Sequence, residues 1–248
     1  MSREKAYLER VGLLVGEDVL ARLGEVRVLL FGAGGVGSWC AEGLVRSGVR
    51  HLTLVDADVI SESNVGRQLM ATPRTVGQVK VEALRDRLLE VAPAAEITVY
   101  QKIFSAETAD EFAMAGYDYI LDAIDSLKDK GELILRATRT PAKFFCSMGA
   151  ACKVDPTQVK VGEFWNVRGC PLGAALRKKF KQNHTWPGRK FRCVYDEEVL
   201  PNRGGEGKAE TDLFNKAQIN GALVHITAMF GMTLAGLVIE DVYHQIVG

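Results

Sequence analysis

The stretch "LLFGAGGVGSW", Leu29 to Trp39, is where the fold is decided. It joins a short apolar run, Val26 to Phe31, to a helical pattern from Val36 to Ser47, with Gly32, Gly34 and Gly35 between them and Gly37 at the start of the helix. Gly32, Gly34 and Gly37 carry the G-x-G-x-x-G spacing in a strand-to-helix setting. There the first two glycines let backbone approach phosphates at a helix N-terminus, and the third permits close helix packing. A second apolar run, Leu52 to Val55, ends at Asp56, whose carboxylate can accept hydrogen bonds from ribose hydroxyls. This much predicts an adenine-nucleotide site and leaves open whether it serves a nicotinamide or a triphosphate.

Outward from this unit the alternation continues. A helix is expected near Val76 to Val91, a strand at Glu96 to Tyr100, a helix near Ala106 to Ala115, a strand within Tyr117 to Ala123 and a helix near Lys130 to Arg139, followed by the apolar run "KFFCSMG". Such a chain is an α/β protein with a Rossmann-like doubly wound sheet, parallel in the N-terminal half. The grammar then changes. "ACKVDPTQVKVGEF" reads as two strands around an Asp155-Pro156 turn, so the sheet is expected to be mixed in the C-terminal half, and "PLGAALRKKFKQ" reads as an amphipathic helix starting at Pro171. The expected organisation is one domain over 1–248. It comprises N-terminal helices over 1–25, a nucleotide-binding core over 26–150 and a mixed-sheet, dimer-interface part over 151–248.

Composition narrows the class. With 248 residues, 47% hydrophobic, 25% charged and a net charge of zero, the chain is neither disordered nor fibrous nor globally basic. Cys40, Cys146, Cys152, Cys170 and Cys193 are scattered with no C-x-x-C pair, which argues against a zinc knuckle or disulfide framework and suits a reducing cytoplasm. "MSREKAYLER" has no apolar stretch of the kind a secretory signal needs. Ala217 to Ile239 carries no Asp, Glu, Lys or Arg over 23 residues, long enough to span a bilayer. Its Gln218, Asn220, His225 and three glycines make it a buried or dimer-interface helix, and no membrane span is expected.

The choice between nicotinamide and triphosphate turns on "DADVISESNVGRQ", Asp56 to Gln68, which plants Asn64 and Arg67 straight after the ribose acid. Lys80 opens the next helix, and Asp125 in "DAID" follows the fourth strand, so all fall on the edge where doubly wound sheets bind ligands. Singly, a surface Arg, a helix-start Lys and a strand-end Asp are ordinary structural residues. Together, Arg67 and Lys80 can neutralise a triphosphate while Asp125 holds Mg2+, which is equipment for attack at phosphorus and not for hydride transfer.

The set "GAGGVGS", "LVDADVISESNVGRQ", "VGQVKVEAL" and "LDAIDS", preceded by "YLERVGLLVG", resembles the ubiquitin-activating-type superfamily that includes ThiF, MoeB and HesA. The resemblance runs over most of the chain and implies adenylation of a carboxylate by attack on the α-phosphate of ATP, with release of pyrophosphate. It implies a phosphate loop at Gly32, Gly34, Gly35 and Gly37, ribose on Asp56, phosphates on Asn64, Arg67 and Lys80, and magnesium on Asp125. Arg10 resembles the arginine that reaches the ATP of the other subunit in a homodimer. Through "SMGAACKVDPTQVKV", "CPLGAALRKKFK" and "FRCVYDEE" the second half is similar to the tRNA threonylcarbamoyladenosine dehydratase group. The substrate so implied is the threonyl carboxylate on a modified adenosine beside the tRNA anticodon. Once it is adenylated, the neighbouring carbamoyl group closes a ring and expels AMP. Asn202 to Lys216, Tyr7 and Leu13 depart from the group's pattern. Two alternatives are adenylation of the C-terminus of a ubiquitin-like sulfur carrier, disfavoured by the missing zinc cysteines, and a nucleotide-gated adapter of a cysteine desulfurase, disfavoured by the intact Arg67, Lys80 and Asp125.

A tRNA substrate needs cationic surface. "LRKKFKQNHTWPGRKFR", Leu176 to Arg192, supplies Arg177, Lys178, Lys179, Lys181, Arg189, Lys190 and Arg192, interleaved with Phe180, Trp186 and Phe191 for stacking on anticodon-loop bases. Cys170 and Cys193 invite a covalent acyl route, but a nucleophile already attached to the substrate has the proximity that such an intermediate would provide. Both are read as structural thiols.

Overall fold

The computed structural model describes residues 3–204 and 220–248. Its elements in chain order are α1 (Arg3–Val15), α2 (Glu17–Glu25), β1 (Arg27–Phe31), α3 (Gly37–Arg46), β2 (His51–Val55), α4 (Lys80–Val91), β3 (Glu96–Tyr100), β4 (Tyr119–Asp122), α5 (Leu127–Ala137), β5 (Lys143–Ser147), β6 (Lys160–Glu163), α6 (Pro171–Gln182), β7 (Arg192–Tyr195) and α7 (Val224–Val247). Among the described residues the strands form one seven-stranded sheet in the order β3-β2-β1-β4-β5-β7-β6. Every pairing is parallel except β6 against β7, so the sheet is parallel first and mixed after it.

The central strands are near-continuous apolar runs because helices cover both faces. On one face α2, α3, α4 and α7 close over Val28, Leu30, Leu52 and Leu54. On the other, α5 and α6 close over Leu29, Phe31, Ile120 and Phe144. α3 stops where Gly48, at φ +106°, supplies the left-handed residue that ends helices without a Cβ clash.

Of the uncharged C-terminal stretch, positions 217–219 lie outside the described residues and Val224 to Ile239 lies in α7, which is long and apolar enough to cross a membrane by length and composition. Its Ile226, Phe230, Leu234 and Val238 are each fully buried, and burial of such a side chain contributes roughly 1.5–3 kcal/mol. It lies hard against α3. A Cβ on Gly231 would stand 2.4 Å from the Val36 carbonyl oxygen, and one on Gly43 would stand 3.0 Å from Met232 Sδ. Of the departing stretch Asn202 to Lys216, positions 205–216 lie outside the described residues.

Two expected elements are corrected. Ala106 to Ala115 is not an α-helix but two short 3-10 turns, Ala109–Phe112 and Met114–Gly116. The Thr108 hydroxyl accepts the Ser105 N–H and donates to the Ile103 carbonyl, and Phe112 turns inward onto Phe31, at 5.3 Å between ring centres, so local bonds displace a helical ladder. The segment before β6 is not a strand. The Glu198 carboxylate accepts the N–H groups of Val154 and Asp155 at 2.6 and 3.0 Å, and Asp155 caps a 3-10 turn, Pro156–Gln158, so these amides are not offered to a ladder.

Candidate functional site

The strand order reverses between β1 and β4, and ligands of open α/β sheets bind outside the carboxyl ends of the strands at such a switch point. Gly32 leaves β1 here at φ +92°, its N–H bonded to the Val55 carbonyl at 2.8 Å, and a Cβ on it would lie 2.8 Å from the Ala123 carbonyl oxygen. A Cβ on Gly37 would lie 1.7 Å from the Gly32 carbonyl oxygen, so the turn closes only with glycine at both positions. Gly34 differs. The nearest atom to a Cβ there is Gln68 Nε2 at 4.0 Å, leaving space for a ligand above the first turn of α3. The dipole of α3 favours an anion at this end, with the Ser38 and Cys40 N–H groups already bonded to the Gly34 and Val36 carbonyls at 3.0 Å. Thr227, at the start of α7, walls the loop at Gly35, 3.2 Å from where its Cβ would be.

Asp56 follows β2 directly. It accepts the N–H of Ala33 in the loop at 2.7 Å and that of Asp58 at 2.9 Å, which points its carboxylate along the loop. Burial pushes its pKa above the ordinary carboxylate range, opposed by the Lys80 ammonium and by these N–H donors. Lys80 opens α4 almost fully buried, with Nζ 2.6 Å from Asp58 Oδ2, so its charge is held between two acids. Asn64 is buried and caps a 3-10 turn, accepting the Ser61 N–H at 3.1 Å. Arg67 is half-buried, its guanidinium donating to the Ser63 carbonyl at 2.8 Å. The first turn of α3 grips this segment, since Trp39 Nε1 donates to the Arg67 carbonyl and the Ser38 hydroxyl accepts the Leu69 N–H.

Asp125 lies three residues past β4, in the turn that leads into α5. Beneath it Asp122 and Lys130, both with fully enclosed side chains, pair at 2.9 Å. Burial alone would drive Lys130 down, and the Asp122 carboxylate overrides it, holding the ammonium above its ordinary value. Gly32, Gly34, Gly35, Gly37, Asp56, Asn64, Arg67, Lys80 and Asp125 thus flank one carboxyl edge. Arg10 does not. It is exposed on α1, whose Tyr7 packs beside Arg46 and Val91 at the far ends of α3 and α4. The ten residues of α3 put that edge about 15 Å from the Gly loop.

The basic segment is only partly free. Phe180 and Phe191 are core residues, contrary to the expectation that they stack on RNA, because each sits on the inward face of its element. Arg177 donates to the Phe164 carbonyl, Arg189 to those of Thr140 and Ala142, and Arg192 pairs with Glu240. Trp186 is 48% exposed and packs on Trp165, and Lys178, Lys181 and Lys190 are exposed with no ion pair among the described residues. α6 starts at the nucleotide edge, Gly173 lying against Met148, and the loop after it reaches the opposite edge, where Gly188 binds Thr138. Cys170 is buried and caps α6 by accepting the Gly173 N–H at 3.4 Å, and Cys193 is fully buried in β7. Gln68, Ser38, Thr227 and the Asp122–Lys130 pair escaped sequence reasoning. Only Gln68 carried a signal, adjoining Arg67.

The ThiF family model matches residues 8–245. The chain belongs to the ThiF family. Among similar proteins, the tRNA threonylcarbamoyladenosine dehydratase of Haemophilus influenzae is 34% identical over 97% of this chain and 95% of its own. The enzyme of that name from Bacillus subtilis is 35% identical over 94% and 93%. The crystal structure of E. coli tRNA N6-threonylcarbamoyladenosine dehydratase, TcdA, in complex with ATP superposes with a TM-score of 0.87 at 28% identity, covering 99% of this chain and 98% of that one.

Proposed function

We propose that this ThiF-family chain is an ATP-dependent dehydratase acting on threonylcarbamoyladenosine in tRNA. The threonyl carboxylate attacks the α-phosphate of ATP, pyrophosphate leaves, and the carbamoyl group then attacks the acyl carbon and expels AMP, for a net loss of water. The observation that carries this reading is the gathering of Arg67, Lys80 and Asp125 around a Gly loop with free space above Gly34, in a chain similar over nearly its whole length to enzymes of that name. Arg67 and Lys80 take up charge on the leaving pyrophosphate and Asp56 holds the ribose. Asp125 suits Mg2+, which takes one or two carboxylates and fills its remaining positions with phosphate and water. Among the described residues no cluster of three or more His, Cys, Asp or Glu offers a closed protein cage. Bound there, the metal would neutralise charge developing on the phosphates.

The site requires a second subunit in this reading. Arg10 cannot reach its own loop across the sheet, and it shares its helix with Leu13 and Leu14, 81% and 83% exposed beside an apolar groove formed with Gly236, Ile239 and Tyr243 of α7. A two-fold dimer covering that face delivers each Arg10 to the other chain's ATP. Lys178, Lys181, Lys190 and Trp186 extend away from the nucleotide edge, so they serve the tRNA backbone at a distance from the reacting nucleotide. A cytoplasmic location follows from the substrate. Mass spectrometry of nucleosides from tRNA incubated with enzyme and ATP tests the reading. Threonylcarbamoyladenosine lighter by one water is the expected product, and its absence while AMP is formed on a sulfur-carrier C-terminus would replace it with the ThiF or MoeB-like alternative.

A further inference from the structure

α5 carries in its first turn a lysine that never reaches solvent. Helical side chains lean toward the helix N-terminus, and Lys130 accordingly folds back under the turn that precedes its helix. Its Nζ donates to the Ile124 carbonyl at 2.8 Å and meets Asp122 Oδ1 at 2.9 Å. The same Oδ1 accepts the Ile124 N–H at 2.9 Å, while Cys146 Sγ donates to Asp122 Oδ2 at 3.2 Å. Both the N–H and the carbonyl of Ile124 are therefore fastened to one buried ion pair, and Asp125 is the next residue. The Ala123 carbonyl is the surface on which Gly32 rests, 2.8 Å from where a Cβ would be, so this turn is also the floor of the phosphate loop. A buried ion pair is a poor device for stability alone, since apolar replacements of similar volume are often neutral or better.

We infer that Lys130 is a positioning residue for adenylation. It fixes the Ala123–Asp125 turn, and through it the placement of the Asp125 carboxylate against the Gly32 loop. The inference rests on the reading of Asp125 given above.

Replacing Lys130 alone strands a buried carboxylate, so the test uses the pair Asp122→Asn with Lys130→Met, which removes both charges and leaves an amide oxygen for the Ile124 N–H. Melting within a few degrees of wild type, KM for ATP within about twofold and a kcat for AMP formation lower by about 100-fold are expected, the loss that follows a displacement near 1 Å at a reacting centre. Amide exchange at Ile124 and Asp125 should quicken. The pair Asp122→Asn with Lys130→Gln, which restores a donor toward the Ile124 carbonyl, should recover part of kcat. Asp125→Asn is assayed in parallel. If Asp125→Asn retains full AMP formation, the reading of Asp125 fails. If Asp125→Asn is inactive while the Met pair keeps kcat within twofold, the inference about Lys130 is overturned and the reading of Asp125 stands. Failure of both pairs to fold, or kcat, KM and melting temperature declining together, assigns Lys130 to stability and overturns it as well.

Discussion

Gly37 and Gly34 sit in the same motif, yet the structure separates what an added methyl would do at each. In Gly37→Ala the new Cβ stands 1.7 Å from the Gly32 carbonyl oxygen, and carbon meets oxygen at roughly 3.3 Å, so the two must part by roughly 1.6 Å. Neither side can retreat freely. Gly32 is bonded to Val55 and seated on Ala123, while behind α3 the Val36 carbonyl is already in close contact with Gly231 of α7. Overpacking of this kind costs about 1–3 kcal/mol, and the helix-forming advantage of alanine, at most about 1 kcal/mol, offsets little of it at the first helical position. A net loss of about 2 kcal/mol lowers the melting temperature by about 4–8 °C in a chain of this size. Gly34→Ala meets nothing closer than Gln68 Nε2 at 4.0 Å and should melt with the wild type. If phosphates occupy that space, it should still weaken ATP at least about tenfold, as a Cβ blocks backbone approach. Thermal unfolding monitored by circular dichroism, with ATP titration by calorimetry, separates the two effects. A Gly37→Ala protein that melts with wild type, or a Gly34→Ala protein that is the less stable of the two, refutes the reasoning.

If Arg10→Ala and Arg67→Ala chains are each inactive, mixing them equally should restore about a quarter of wild-type activity, because half the dimers are mixed and each has one intact site. Demonstrated subunit exchange with no recovery would show that Arg10 does not act across the dimer. Cys170→Ser should keep turnover within about twofold and melt no lower than wild type, since serine is a good N-cap where the thiol now accepts the Gly173 N–H; loss of turnover in the folded variant would revive a covalent route. The Glu198 carboxyl is held below its usual range by the Val154 and Asp155 N–H groups. Its contribution to stability is therefore present above the unfolded carboxyl value and lost as pH falls through the lower folded one. Glu198→Gln should flatten the acid limb of stability against pH, and an unchanged limb measured by urea unfolding would contradict this.

The first half of the fold was legible because its signals are local. Val28 to Phe31 and Leu52 to Val55 are buried on both faces and so read as unbroken apolar runs, and the glycine spacing marks the turn between strand and helix. The same holds for Arg67, Lys80 and Asp125, whose positions follow from counting along strands and helices. What escaped depends on contacts between distant segments. Thr108 and Glu198 use side chains to satisfy backbone that a periodicity argument assigns to a helix or a strand. Lys130 looks like any surface lysine in a polar run until Asp122 and Ile124 enclose it. Thr227 becomes part of the site only because Gly231 lets α7 lie against α3. Phe180 and Phe191 read as stacking aromatics because a basic stretch conceals which of its faces is turned inward.

The wall that Thr227 gives the phosphate loop also has a bearing on time. A ribosome delivers the Gly loop early and α7 only after the rest of the sheet has been made. A nascent chain carrying β1, α3 and the loop has no Phe230, Leu234 or Val238 against which α3 can close, and Gly35 stands bare on that side. Nucleotide bound at that stage would hold an open, unfinished site. The wall of the loop at Gly35 is thus supplied by the last element in chain order, after every strand of the sheet has been made.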